Sequence, residues 1–383
     1  MGRPRVPALG LLVALLFLTG CWSRREANDL AVVLALGIDR SESGDLQVTL
    51  AIADPVGGPG KGDEELRVDA GGTVLVLAGA PTLADAIWRS QRKIPRQVTL
   101  QHSQVIVLGQ RMAREGIGEV SDFLLRAHEV RLTSQIVVAR GTARDLLTQP
   151  LLLESVMPMG LGELTRSRAS PRVNLKDFLR ALVEPGWDPL APVVGVVPHP
   201  TGERRAPPSE VMIEGAGIFR GDRWVGELTG SELEGAMWLR GQARDQVLTV
   251  PCPGNPGRRL SARVQRGLTA VDPVLSEASV RFRVTAWGEV VIADVPCGGV
   301  VSEPETLAKV EEALASHVRD AITRALGRTQ ALGADVWNFA QRVRIRYPGA
   351  WRDLEPRWPE VFRRAAMEID VARMTITHTE LTR

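Results

Sequence analysis

Short apolar runs separated by turn-forming residues dominate the first part of the chain. Residues 30–39 and 46–53 are two such runs, and Ser41-Glu42-Ser43-Gly44 lies between them. Strand-length apolar runs on either side of such a cluster predict a β-hairpin. A third strand is predicted near 73–78.

Predicted helices alternate with predicted strands over the next 70 residues. A helix is predicted from Pro81-Thr82 to Lys93, with Leu83, Ile87 and Trp88 facing inward. A strand over 98–108 follows, with His102 at its start in a structural role. The helix predicted over 118–128 places Val120, Phe123, Leu124 and Ala127 on one face. After a strand over 136–139, Thr142 is predicted to cap a short helix with Asp145 at its third position.

A segment rich in proline and glycine, 185–208, divides the chain. Beyond it the pattern predicts a second hairpin, formed by 211–219 and 223–228, and then a helix over 231–239. Four more strands are predicted over 246–250, 260–264, 278–286 and 289–295. The strongest helical stripe lies in 303–326, where it is formed by Leu307, Val310, Leu314, Val318 and Ile322, and Gly327 is the predicted stop. The last strand, 367–379, alternates in two phases, which a bulge near Ala372-Arg373 would reconcile.

Strands and helices mix without an internal repeat, which favours an α+β fold with mixed sheets and packed helices. The fold is expected to have two main regions. Whether the N-terminal region is one unit or two subdomains is left open by the sequence. The predicted boundaries are 1–20 for a signal peptide, 21–200 for the N-terminal region, 201–210 for a linker and 211–383 for the C-terminal domain.

The first 21 residues have the order of an export signal. Arg3 and Arg5 precede an apolar stretch of about 13 residues, which as a helix covers only about 20 Å of a hydrocarbon core of roughly 30 Å. A cleaved signal is therefore favoured over a membrane span. Leu18-Thr19-Gly20-Cys21 has the form of a bacterial lipobox, which predicts cleavage after Gly20 and an S-diacylglycerol and an N-acyl group on Cys21. A signal peptide with a chance cysteine is the alternative.

Net charge argues against nucleic acid as a partner. The chain has 47 Lys and Arg against 45 Asp and Glu, and removal of the signal takes away only two arginines, which leaves 45 against 45. A balanced chain lacks the basic surface that binds phosphate backbones.

The other two cysteines have similar surroundings. Cys252 lies in Val-Pro-Cys-Pro-Gly and Cys297 in Val-Pro-Cys-Gly-Gly, each at the exit of an apolar segment. Outside the cytoplasm such a pair can oxidise, which would stabilise the chain by about 4 kcal/mol on the chain-entropy model. Two reduced thiols are the alternative.

Catalytic and cofactor patterns are missing from the sequence. The five histidines are isolated from each other and from the cysteines, and the chain has no HExxH, GxSxG or phosphate-loop spacing. We therefore expect no enzyme activity, cofactor or metal. The aromatic residues Tyr347, Trp351 and Trp358 are interpreted as core rather than as an exposed surface that binds a sugar or protein.

Four stretches together resemble the GerAC-like, or Ger(x)C, family of spore germination lipoproteins. They are GCWSRREANDLAVVLALGID at 20–39, PRQVTLQHSQVIVLG at 95–109, IEGAGIFRGDRWVGELTGSELEGAMWLRG at 213–241 and GADVWNFAQRVRIRYPGAWRDLEPRWPEVF at 333–362. The resemblance implies an α+β protein and makes Cys21 the lipidated cysteine. It supplies no catalytic residues.

Proteins of that family are C subunits of nutrient germinant receptors in the inner membrane of spores. The resemblance implies a membrane contact through the lipid, A-type and B-type receptor subunits as partners, and a place on the outer face of the inner spore membrane. The expected function is that of a non-enzymatic subunit needed for receptor assembly and the germination response. A lipoprotein that binds a solute or a wall fragment is the alternative.

Overall fold

Two β-sheets and eleven α-helices form the described part of the protein, which is represented by a computed structural model. The structure describes residues 29–54, 66–69, 72–127, 129–151, 154–198, 209–276, 279–297 and 303–378. The α+β prediction is confirmed.

The first sheet has ten strands in the order β10-β9-β8-β7-β6-β1-β2-β4-β3, and β5 pairs with β1 beside this path. The strands are β1 (Leu30–Arg40), β2 (Leu46–Ala53), β3 (Leu66–Asp69), β4 (Thr73–Ala80), β5 (Gln97–Thr99), β6 (Val105–Gly109), β7 (Gln135–Ala139), β8 (Leu190–Pro198), β9 (Ser209–Arg220) and β10 (Arg223–Leu228). Its centre is parallel, from β1 through β6 and β7 to β8, and both flanks are antiparallel.

Helices cover both faces of the first sheet. They are α1 (Leu83–Gln91), α2 (Gln110–Glu115), α3 (Gly118–Arg126), α4 (Ala143–Leu147), α5 (Met157–Arg166) and α6 (Leu175–Val183). One core contains buried residues of α1, α2, α3 and α6, and the other contains those of α4 and α5. Strands β6 and β7 are buried along their whole length, as expected for parallel strands between two helical layers.

The second sheet has four strands in the order β11-β12-β13-β14. They are β11 (Val247–Cys252), β12 (Asn255–Ser276), β13 (Ser279–Asp294) and β14 (Ala366–His378), with β14 parallel to β13. The C-terminal helices are α7 (Gly230–Leu239), α8 (Pro304–Leu332), α9 (Phe339–Arg346), α10 (Pro348–Leu354) and α11 (Trp358–Arg364). Side chains along β13 alternate between buried and exposed, so one face of the sheet carries the core.

Several predicted elements are confirmed. The first hairpin pairs β1 with β2 in antiparallel register. The face of α3 that contains Val120 and Leu124 is buried, and Thr142 accepts a hydrogen bond from the Asp145 N–H at the start of α4. The pairing of β13 with β14 shifts between Val371 and Arg373, which places the predicted bulge at Ala372.

Two predictions in the N-terminal half are wrong. Trp88 is 59% exposed, because the buried face of α1 consists of Leu83, Ala86 and Ser90, and the Arg92 guanidinium lies over the indole 5.5 Å from its centroid. The strand predicted over 98–108 is two strands, β5 and β6. A turn in which the Ser103 N–H donates to the Leu100 carbonyl separates them, and His102 is exposed in this turn.

Two predictions in the C-terminal half are also wrong. The strands predicted over 278–286 and 289–295 are the single strand β13, and the one predicted over 260–264 is part of the 22-residue β12. Helix α8 continues past Gly327 and ends at Leu332. The next residue, Gly333, has the left-handed φ of 65° typical of a glycine after a helix. Gly327 is an exposed interior position of that helix.

The first sheet continues beyond the predicted linker. The predicted second hairpin forms as β9 and β10, and β9 pairs with β8, so this hairpin extends the first sheet. Ala216, Ile218 and Leu228 from the hairpin then contribute to the same core as the second sheet. The two regions therefore share buried apolar surface, while the boundaries at 201–210 stay a prediction.

Candidate functional site at the junction of the two sheets

A buried carboxylate, Asp335, organises the segment between α8 and α9. Its Oδ1 atom accepts hydrogen bonds from the backbone N–H groups of Trp337 (3.2 Å) and Phe339 (3.1 Å). Its Oδ2 atom accepts from the Ala340 N–H (2.8 Å) and the Trp358 indole N–H (3.1 Å). Because Phe339 and Ala340 begin α9, the carboxylate satisfies N–H groups that have no partner inside the helix.

Asp188 connects this segment to the first sheet. Its Oδ2 atom accepts from the Asp335 N–H (3.0 Å), and its own N–H donates to the Asp335 carbonyl (3.0 Å). Its Oδ1 atom accepts from the N–H of Gly221, in the β9–β10 turn (2.8 Å). Two side chains, which we call the carboxylate pair, thus join three segments that are far apart in the sequence.

Burial determines the electrostatics of the carboxylate pair. It raises the pKa of Asp335 to about 7, against the hydrogen bonds from Ala340, Phe339 and Trp358, and the charge of Asp188 acts in the same upward direction. Burial also raises the pKa of Asp188, while its backbone hydrogen bonds and Arg220 oppose the shift. The site is therefore sensitive to protonation although it is shielded from solvent.

Aromatic side chains surround the carboxylate pair. The rings of Trp351 and Trp358 lie 5.2 Å apart, and both residues are buried, which confirms their interpretation as core. Gly186, in the loop before Asp188, has a φ of +78°, and a Cβ there would lie 3.0 Å from each of the two indoles. The loop of the first region is therefore packed directly on the aromatic core of the second.

One histidine makes a charged contact at a helix crossing. The His317 Nε2 atom on α8 lies 2.9 Å from Glu234 Oε1 on α7, and this hydrogen bond raises the histidine pKa. The part of the chain that the structure describes contains no group of three or more His, Cys, Asp or Glu side chains that could hold a metal ion. His128 and His199 lie outside that part.

The two C-terminal cysteines are adjacent in the structure. Cys252 at the end of β11 and Cys297 after β13 form a disulfide with a Cα–Cα distance of 5.5 Å. Cys252 is buried in the core of the second region. The bond therefore links the end of an edge strand to the segment that leads toward α8.

Cys21 and the predicted cleavage position after Gly20 lie outside the described residues. No helix within the described ranges is both long enough and apolar enough to cross a membrane.

The sequence patterns did not predict the carboxylate pair. Asp335 follows the true end of α8 at Leu332, and the misplaced stop at Gly327 concealed its position beside a helix start. Asp188 lies in the segment interpreted only as rich in proline and glycine. A usable signal was the polar residue flanked by apolar and aromatic neighbours in Gly-Ala-Asp335-Val-Trp and Gly-Trp-Asp188-Pro-Leu.

The fold and its junction define a two-region α+β protein, and comparison with known proteins gives its family. Residues 23–196 match the family model described as spore germination protein N-terminal domain, and residues 214–380 match the one described as spore germination B3/GerAC like, C-terminal. Because these matches cover most of the chain in order, the protein belongs to the GerAC-like family of spore germination proteins.

Curated relatives agree over nearly the whole length. The putative spore germination protein YfkR of Bacillus subtilis (strain 168) is 28% identical over 95% of this chain and 93% of its own. Spore germination protein KC of the same organism is 23% identical, with 94% and 92% covered. The crystal structure of the GerBC protein is similar in fold, with a TM-score of 0.57 and 18% identity over 90% of this chain and 97% of that one.

Proposed function

We propose that this protein is a lipid-anchored, non-enzymatic subunit of a spore nutrient germinant receptor. In this role it supports receptor assembly and the germination response. The observation that carries the proposal is the order along the chain: a lipobox that ends at Cys21, followed by two segments that match spore germination family models. Its partners are A-type and B-type receptor subunits at the outer face of the inner spore membrane.

The lipid supplies the physical basis of the role. Each buried methylene contributes roughly 0.8 kcal/mol, and more than one acyl chain is needed for a stable anchor. A diacylglycerol and an N-acyl group on Cys21 meet that requirement. Confinement within nanometres of membrane partners raises the effective concentration of the folded regions, so modest protein contacts are sufficient for assembly.

The junction supports a scaffolding role. Asp188 and Asp335 use their oxygens to hold backbone N–H groups and an indole N–H, and the aromatic residues around them are core. A contact made by a partner with one region then fixes the orientation of the other, because the shared core and these hydrogen bonds join both. The polar groups at this site position the backbone.

The test is Cys21→Ala in a sporulating host whose other germinant receptors have been deleted. We expect loss of the protein from the membrane fraction and a lost or strongly slowed germination response to the nutrient. Thr19→Ser, which keeps a small residue in the lipobox, is the matched control and should behave as wild type. Membrane retention together with unchanged germination in Cys21→Ala would overturn the proposal.

A further inference from the structure

A pocket rich in arginine lies between the two regions, and neither residue of the carboxylate pair lines it. It has a volume of about 320 Å³ and is lined by Arg168, Arg172, Met237, Gly241, Gln242 and Arg244. The first two follow α5, and the other four belong to the end of α7 and the turn after it. Both regions therefore contribute positive charge to one concave surface.

The positive charge in this pocket exceeds the negative charge. Asp245 forms an ion pair with Arg168 and lies 4.0 Å from Arg263. The side chains of Arg172 and Arg244 form no ion pair with another residue in the described ranges. Arginines with so few carboxylates around them repel one another unless an anion lies between them.

A further arginine lies beside the pocket. The Arg240 Nη2 atom donates to the Arg172 carbonyl (3.4 Å), and its Nε atom is buried with no hydrogen-bond partner among the described residues. Burial lowers the pKa of this guanidinium, although the charge of Asp177 opposes the shift. The Arg240 side chain lines a neighbouring cavity with Trp187 and Trp337, so it adds positive charge beside the pocket rather than inside it.

The backbone around the pocket is fixed by specific contacts. The Arg172 N–H donates to Gln242 Oε1 (3.0 Å), and the Gln242 N–H donates to the Met237 carbonyl (2.8 Å). Gly241 and Asp245 both have left-handed φ values, of 64° and 59°. The turn that carries Arg244 is thus held against the segment that carries Arg172.

We propose that this pocket binds a phosphate group, which is either free phosphate or the headgroup of an anionic phospholipid. A phosphate carries up to two negative charges and several acceptor oxygens, which match the two unpaired guanidinium groups of Arg172 and Arg244. The planar guanidinium favours this ligand because it can donate two parallel hydrogen bonds to it. The site is independent of Cys21 and goes beyond the proposed subunit role.

The test uses the full chain in detergent at about 0.15 M salt, where exposed charges are screened. Binding of inorganic phosphate is measured by titration calorimetry. We expect saturable binding that is weakened about tenfold or more in the Arg172→Gln/Arg244→Gln variant, since each charge-assisted hydrogen bond contributes more than a neutral one. The control is Arg259→Gln/Arg352→Gln, which removes the same charge at two exposed positions and should bind as wild type.

Thermal unfolding of both variants provides the check on folding. Absence of saturable binding in the wild type, or an equal loss in the control variant, would overturn the proposal. Competition then identifies the source of the phosphate: displacement by dihexanoyl phosphatidylglycerol but not dihexanoyl phosphatidylcholine supports a headgroup site, and displacement by neither supports a site for free phosphate.

Discussion

Helices α7 and α8 cross closely at Gly235, where the absence of a Cβ atom lets the two backbones approach each other. A Cβ added at Gly235 would lie 2.1 Å from the carbonyl oxygen of Ala321 and 2.8 Å from the N atom of Ile322. These are backbone atoms of another helix, so no side-chain rotation relieves the overlap. Gly235→Ala therefore requires the helices to separate by about 1 Å to restore van der Waals distances.

Two opposing effects determine how much Gly235→Ala changes the free energy of unfolding. Overpacking of a close-packed core costs about 1–3 kcal/mol, and a clash with backbone belongs at the upper end of that range. Alanine is favoured over glycine in a helix by about 1 kcal/mol. We therefore expect Gly235→Ala to lower the free energy of unfolding by about 2 kcal/mol. Ile322, which is buried at this crossing, would lose packing as the helices separate.

Gly327 provides a matched control within α8. It is an exposed helix position with no atom within 4 Å of an added Cβ. Only the helix preference acts there, so Gly327→Ala should raise the free energy of unfolding by about 0.5–1 kcal/mol. The same substitution is thus expected to have opposite signs at Gly235 and Gly327.

Thermal unfolding followed by circular dichroism measures both effects. In a protein of this size the entropy of unfolding is about 0.8 kcal/mol/K, so a loss of about 2 kcal/mol corresponds to a fall of about 2–3 °C in Tm for Gly235→Ala. Gly327→Ala should raise Tm by about 1 °C. A Tm for Gly235→Ala at or above that of the wild type would refute this account of the crossing, as would an equal loss in Gly327→Ala.

Three further predictions concern charge and cross-linking. An NMR titration should give His317 a pKa above its usual value of about 6.5, and Glu234→Gln should reverse the shift. The stabilising effect of the His317–Glu234 pair is complete below a pH of about 6.5 and is lost as the pH rises through the raised pKa of His317. An unshifted titration of His317 in the wild type would contradict the pairing. Since burial raises the pKa of Asp335 to about 7, the wild type should lose stability relative to Asp335→Asn as pH rises from 5 to 8, and a difference in Tm independent of pH would contradict this. Reduction of the Cys252–Cys297 bond, which spans 45 residues, should lower the free energy of unfolding by about 4 kcal/mol, whereas the Cys252→Ala/Cys297→Ala variant should not respond to reductant.

Local patterns predicted the elements whose burial follows a simple period. The stripe of Val310, Leu314 and Val318 in α8 is such a case, because these residues face one core. Trp88 shows the limit of this approach. Its hydrophobicity predicts burial, but the tight packing of Ala86 and Ser90 against the sheet turns the ring toward solvent.

Tertiary contacts determined what the sequence could not predict. Gly327 and Gly333 are equally plausible helix stops by residue type, and only Gly333 has the left-handed φ that ends a helix. Asp188 and Asp335 are 147 residues apart, so their pairing depends on the packing of the two regions. No local period could indicate such a contact.

Mass spectrometry of the N-terminal peptide from protein purified out of spore membranes tests the central proposal most directly. We predict a mature chain that begins at Cys21, with a diacylglycerol on its sulfur and an acyl group on its amino nitrogen. An unmodified cysteine preceded by an intact segment 1–20 would contradict the proposal of a lipid-anchored subunit.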